Sequence, residues 1–117
     1  MSNTTEQTAA TLAHHLQAIG EGVDAIMTDY VEDSVIFTPN GPVRGLEAIS
    51  SFFTEMLGGL PPGFMEAFEM VQQVAEGEIA YIVWTAGDLA PLGTDTFVIR
   101  DGKIVVQTFA AHVPAAA

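Results

Sequence analysis

Gly93-Thr94-Asp95-Thr96-Phe97-Val98-Ile99-Arg100-Asp101-Gly102-Lys103-Ile104 reads as one strand, a tight turn and the start of another. Asp95, Phe97 and Ile99 alternate with Thr94, Thr96 and Val98, the period-two pattern of a strand with two unlike faces. Asp101-Gly102 is a strong two-residue hairpin signal, because both residues tolerate the positive φ that such a turn demands. The spacing therefore predicts strands over 95–100 and 103–113. Upstream, Ile79-Ala80-Tyr81-Ile82-Val83-Trp84-Thr85 is the clearest strand, preceded by a Glu76-Gly77 turn and followed by a loop from Gly87 to Gly93. Phe64 to Ala75 reads as one long strand, or a strand with a bulge, since its alternation slips once between Phe68 and Val71. Three long sequential strands joined by short turns predict an antiparallel meander.

Ahead of this sheet the period changes to that of helices. Leu12, Leu16 and Ile19 mark one face of a helix from about Thr5 to Ile19, stopped by Gly20 and Gly22. A second short helix fits Val23 to Val31. Val35-Ile36-Phe37 is a short strand running into the turn cluster Pro39-Asn40-Gly41-Pro42, and helical spacing returns from Leu46 to Leu57. Gly58-Gly59 and Pro61-Pro62 end that third helix. Helices gathered before a meander predict an α+β fold. A strongly curved sheet wrapped around three N-terminal helices, with an apolar pocket at the open end, uses these pieces well.

Composition narrows the function. The chain has 117 residues, the size of a single domain spanning 1–117, with flexible ends expected at 1–6 and 114–117. Fifteen Asp and Glu against three Lys and Arg give a net charge of −12, which disfavours nucleic acid and anionic membranes as partners. The absence of cysteine removes disulfides, thiolate metal sites and thiol nucleophiles. There is no apolar run of membrane-spanning length, and the first residues are polar with no basic, signal-like start. A cytoplasmic protein is the expectation.

Asp95 is the leading candidate for chemistry. It interrupts an apolar strand face, and if that face is the inner one, burial raises its pKa and favours a carboxyl group able to act as acid or donor. The alternative is a solvated strand-end carboxylate bonded to Thr94 or Thr96. His15 is the candidate partner: a helical wheel puts it at the edge of the apolar face and His14 opposite. A core-edge histidine bonded to backbone or water is the plainer alternative. His112 falls out of phase with Gln107, Phe109 and Ala111, so it is expected outside. No metal is expected, because adjacent His14 and His15 cannot face one ion from a helix and no HxH or HxxxH spacing occurs. Tyr30, Phe37, Phe53, Met56, Ile82, Trp84, Phe97 and Phe109 are the expected pocket walls, with Trp84 singled out because its indole N–H needs a partner. Such a pocket selects a small hydrophobic molecule.

Three segments also carry a family resemblance. Asp29 to Val35, Pro39-Asn40-Gly41 with Arg44 to Ile49, and the hairpin from Gly93 to Ile104 resemble the SnoaL-like members of the nuclear transport factor 2-like superfamily. The resemblance implies a cone-shaped domain with a deep apolar pocket and a homodimer formed through the outer sheet face. It matches Asp95 to the oxyanion-donating aspartic acid of the superfamily's steroid isomerases. The oxyanion tyrosine of those enzymes falls on His15 with one gap, or on His14 without it, and the wheel favours His15. Their general base falls on Thr38, which cannot be a base at neutral pH. The Asp-Arg-Asp set of the related epoxide hydrolases has no counterpart, as Arg44 and Arg100 both read as structural. The implied activity is cofactor-free proton transfer, of isomerase, cyclase or dehydratase type. A non-catalytic ligand-binding or stress-linked dimer module is the alternative, and a purely structural dimer a weaker third.

Overall fold

A computed structural model describes residues 2–114. The elements run α1 (Ser2–Ile19), α2 (Val23–Met27), β1 (Tyr30–Thr38), β2 (Gly41–Arg44), α3 (Leu46–Gly58), α4 (Phe64–Ala67), β3 (Phe68–Glu76), β4 (Ile79–Ala86), β5 (Ala90–Arg100) and β6 (Lys103–His112). The strands form one curved six-stranded sheet in the order β2-β1-β6-β5-β4-β3. The meander from β3 to β6 is antiparallel, as its short turns require. At the β5–β6 turn both Asp101 and Gly102 adopt positive φ, 54° and 76°, the geometry the Asp-Gly pair permits.

The α+β cone stands, with three refinements. The sheet is mixed, because β1 pairs with β6 in parallel, placing Ile36 beside Gln107 and Phe37 beside Thr108. A pairing between strands some seventy residues apart leaves no local trace in sequence. Residues 28–31 are not helical: α2 ends at Met27 and β1 starts at Tyr30, five residues ahead of the Val35-Ile36-Phe37 run. Finally, the segment from Phe64 opens with a helical turn, and Ala90 to Gly93 belongs to β5 rather than to a loop. The slip in alternation near Phe68–Val71 is a bulge: Met70 pairs with Trp84 and Gln72 with Val83, which leaves Val71 unpaired and exposed. The extra residue bends the edge strand and adds to the curvature.

Helix α1 begins at Ser2, so residues 2–6 form its first turns. Gly77 N donates to Thr5 Oγ1 at 3.0 Å and Thr8 Oγ1 donates to Gly77 O at 2.6 Å, tying the helix start to the β3–β4 turn. Met1 and residues 115–117, part of the expected flexible ends, lie outside the described residues. The core side of α1 carries Thr8, Leu12, His15 and Ala18, all buried, so the inward stripe is turned slightly from the Leu12–Leu16–Ile19 line. That stripe, together with Ile49 and Phe53 of α3, packs into the concave face of the sheet, against Ile36, Ile82 and Phe97. No helix among the described residues is long and apolar enough to cross a membrane.

Candidate functional site

Strand phase decides what faces the cone's interior. Across the sheet, Ile82, Asp95 and Phe109 stand in register on one inward row, with Trp84, Gly93 and Ala111 on the next and Ala80, Phe97 and Gln107 on the other side. All of these but Ala80 and Gly93, with His15, Leu16 and Ile19 of α1, Phe52, Phe53 and Met56 of α3, and Phe64 and Phe68, line a cavity of about 450 Å³. That is within the size range of small-molecule sites. Asp95, His15 and Gln107 are the polar groups of its deep wall; the rest there is aromatic and aliphatic.

Asp95 is 7% exposed, and both of its oxygens are held. Trp84 Nε1 donates to Oδ1 at 2.9 Å and Gln107 Nε2 donates to Oδ2 at 2.9 Å. Trp84 reaches that position by lying flat over β5. A Cβ at position 93 would stand 2.1 Å from indole Cε2, so only glycine lets the ring pass. Gln107 is fixed from behind by Tyr30, whose hydroxyl donates to Gln107 Oε1. Burial raises the Tyr30 pKa well above its usual value, helped by the negative charges of Asp95 and Asp29, so the phenol stays a donor. The Gln107 amide is thereby oriented with its nitrogen toward Asp95. Burial likewise raises the pKa of Asp95. The bonds from Trp84 and Gln107 and a positive charge on His15 all pull the other way, without cancelling it.

His15 is 1% exposed and lies among Tyr30, Phe53 and Phe97, with ring centroids 5.9, 6.2 and 5.4 Å away. Its Nδ1 is turned away from the cavity toward Asp29 Oδ2, 3.6 Å distant. His15 is among the cavity's lining residues, and with Nδ1 directed to Asp29, Nε2 is the ring nitrogen available to it. His14 points outward, and its Nδ1 bonds Asp29 Oδ1 at 2.7 Å. The choice between the two histidines therefore goes to His15.

Of the expected walls, Phe53, Met56, Ile82, Trp84, Phe97 and Phe109 line the cavity. Phe37 does not. It follows inward-facing Ile36 on β1, so the pleat turns it to the outer face, where it is 43% exposed. Tyr30 is buried behind the wall, where it bonds Gln107 and packs against His15 and Phe53. His112 is exposed, on the outward phase of β6. Thr38 sits at the β1–β2 turn, where its hydroxyl donates to Gly41 O at 2.9 Å and accepts from Asn40 N at 3.1 Å. Arg100 pairs with Glu78 on the surface. Among the described residues no group of three or more His, Cys, Asp or Glu gathers to hold a metal.

Three contributors escaped the sequence. Gln107 had a signal, since it interrupts an apolar face just as Asp95 does. Gly93 had a weaker one, a glycine within reach of the chain's single tryptophan. Asp29 had none, because its position depends on how α1 lies across the start of β1.

The sequence profile of the SnoaL-like domain matches residues 12–107. No curated protein matches the chain. Among solved structures, an NTF2-like protein of unknown function from Burkholderia xenovorans LB400 is 23% identical, with a TM-score of 0.75 over 97% of this chain and 89% of its own. A candidate ketosteroid isomerase from Kribbella flavida DSM 17836 is 18% identical, with a TM-score of 0.71 over 97% and 83%. A candidate polyketide cyclase from Sinorhizobium meliloti is 17% identical, with a TM-score of 0.70 over 86% and 93%. At these identities the likeness establishes a shared fold.

The buried carboxyl makes a pH prediction. Because the folded-state pKa of Asp95 is raised above its ordinary 3.8, its contribution to stability is full below that value and is lost as pH rises through the folded pKa. Denaturant unfolding of the unmodified chain and of Asp95→Asn across that window should show the unmodified chain losing stability relative to the variant. A difference that does not change with pH would contradict the assignment.

Proposed function

The chain belongs to the SnoaL-like domain family, and on that premise we propose that its cavity binds a small hydrophobic molecule and moves a proton on it. One observation carries the reading: Asp95 and His15 are the two ionisable groups on the wall of an otherwise apolar, aromatic-lined cavity. A ligand with one carbonyl group on a compact apolar frame suits it. His15 Nε2 takes a proton from the carbon next to the carbonyl, and the protonated Asp95 carboxyl donates a hydrogen bond to the oxygen as it gains charge. Where the ligand also carries a β,γ double bond, returning the proton from His15 to the γ-carbon shifts that bond into conjugation with the carbonyl and completes an isomerisation, with no cofactor and no external reductant or oxidant. A raised pKa suits Asp95 to the donor role, since an ionised carboxylate would repel the developing oxyanion.

Thr38 favours a second reading. The position that carries the base in the related isomerases here closes a turn away from the cavity, so a chain that binds without catalysis is the alternative.

Deuterium exchange separates the two. Cyclohexanone incubated with the protein in heavy water should exchange its α-hydrogens faster than in buffer. Asp95→Asn and His15→Gln should each lower the enzyme-dependent rate by about 10²–10⁴-fold, the usual worth of a positioned acid or base. Binding without acceleration, or variants that exchange as fast as the unmodified chain, would establish the binding module instead.

The outer sheet face supports a homodimer. One row across it reads Val74, Tyr81, Thr96, Thr108 and Phe37, and the next Gln72, Val83, Thr94 and Ala110. Neither row holds a charge in a molecule of net charge −12, so two copies can meet there without burying carboxylates. Native mass spectrometry should report a dimer that Thr96→Arg converts to a monomer. A monomeric unmodified chain would contradict the proposal.

A further inference from the structure

Asp29 lies between the two consecutive histidines of α1 and is 5% exposed. Its Oδ1 bonds His14 Nδ1 at 2.7 Å, and its Oδ2 faces His15 Nδ1 at 3.6 Å. Among the described residues, His15 Nδ1 and Asp29 Oδ2 are the buried side-chain polar atoms with no hydrogen-bond partner, and they face each other. Buried polar atoms of native proteins are rarely left unpaired. These two are complementary, since a ring N–H donates and a carboxylate oxygen accepts. A closure of about 0.7 Å brings them to ordinary N–H···O length. The aromatic rings packed edge-on around His15 are those of Tyr30, Phe53 and Phe97, which offer Nδ1 no comparable acceptor.

The carboxylate is itself held in place. Asp29 N donates to Ile26 O at 3.1 Å, and Asp29 O accepts from Ile104 N at 2.7 Å, so the backbone is pinned between the end of α2 and strand β6. His14, with its side chain 52% exposed, clamps the carboxylate from the solvent side. We propose that Asp29 is a positioning residue that holds His15 in the Nδ1–H tautomer, so that the Nε2 lone pair faces the cavity as the proton acceptor. The opposite tautomer would set the Nδ1 lone pair against carboxylate lone pairs in a buried site, where such repulsion is poorly screened. This inference deepens the proposed role of His15 and rests on it for its functional meaning, but the tautomer itself needs no ligand.

The test is long-range ¹H–¹⁵N NMR of the full chain labelled at histidine, at alkaline pH where the rings are neutral. His14→Gln and His112→Gln variants assign the three sets of ring signals. The expected result is His15 protonated at Nδ1 and bare at Nε2 in the unmodified chain. In Asp29→Asn, whose amide can present an N–H to Nδ1, the Nε2–H form should become the major or an equal species. An Nε2–H tautomer in the unmodified chain overturns the proposal, and so does an unchanged tautomer in a folded Asp29→Asn. Should Asp29→Asn not fold, the unmodified chain's own tautomer still decides. Failure here would leave the exchange assay on cyclohexanone free to succeed, and the reverse also holds.

Discussion

The cone can keep a carboxyl group at Asp95 on its apolar wall only because two neutral N–H donors are delivered to it from the flanking strands. A buried carboxyl with no partners would cost several kcal/mol or lose its charge altogether. Trp84 from β4 and Gln107 from β6 supply one bond to each oxygen. Each donor depends on a further residue: Gly93 leaves the space across which the indole lies, and Tyr30 holds the Gln107 amide the right way round. Five residues on four strands therefore form a single unit. The donors are uncharged, so they steady the carboxyl group without offsetting the full effect of burial on its pKa.

The opposite wall comes from a helix, and the two walls meet because α1 crosses the concave face. Thr5 and Thr8 anchor one end of that helix to the β3–β4 turn, and Leu12 and Ala18 bury their side chains in the core on either side of His15. An imidazole placed this way lines the same cavity as Asp95 while remaining almost wholly buried. Low polarity strengthens every electrostatic interaction inside such a space.

Much of this was legible in the residues, and the reasons differ from element to element. Period-two alternation grouped Asp95, Phe97 and Ile99 on one face and set His112 out of phase with Gln107, Phe109 and Ala111, because strand phase is a local property, while which face turns inward stayed open. The Asp101-Gly102 turn was legible for the same reason, whereas the slip near Val71 left a straight strand and a bulge both open. Phase failed at Phe37, where the Val35-Ile36-Phe37 run is apolar throughout and offers no alternation to read. The parallel pairing of β1 with β6 was not legible, nor was the approach of Asp29 to His15, since both depend on contacts far apart in sequence. Within the site, the exceptions to pattern were the best guides: Asp95 and Gln107 both break apolar faces, and they bond each other.

The proposed chemistry requires a ligand to place its polar group between the sheet carboxyl and the helix imidazole. A crystal structure of the protein with cyclohexanone bound tests this most directly. The expected result is a ring packed against Trp84 and Phe109, with the carbonyl oxygen in hydrogen-bond contact with Asp95 and the α-carbon facing His15 Nε2. A ketone bound with its oxygen turned to the cavity mouth, leaving Asp95 and His15 untouched, would contradict it.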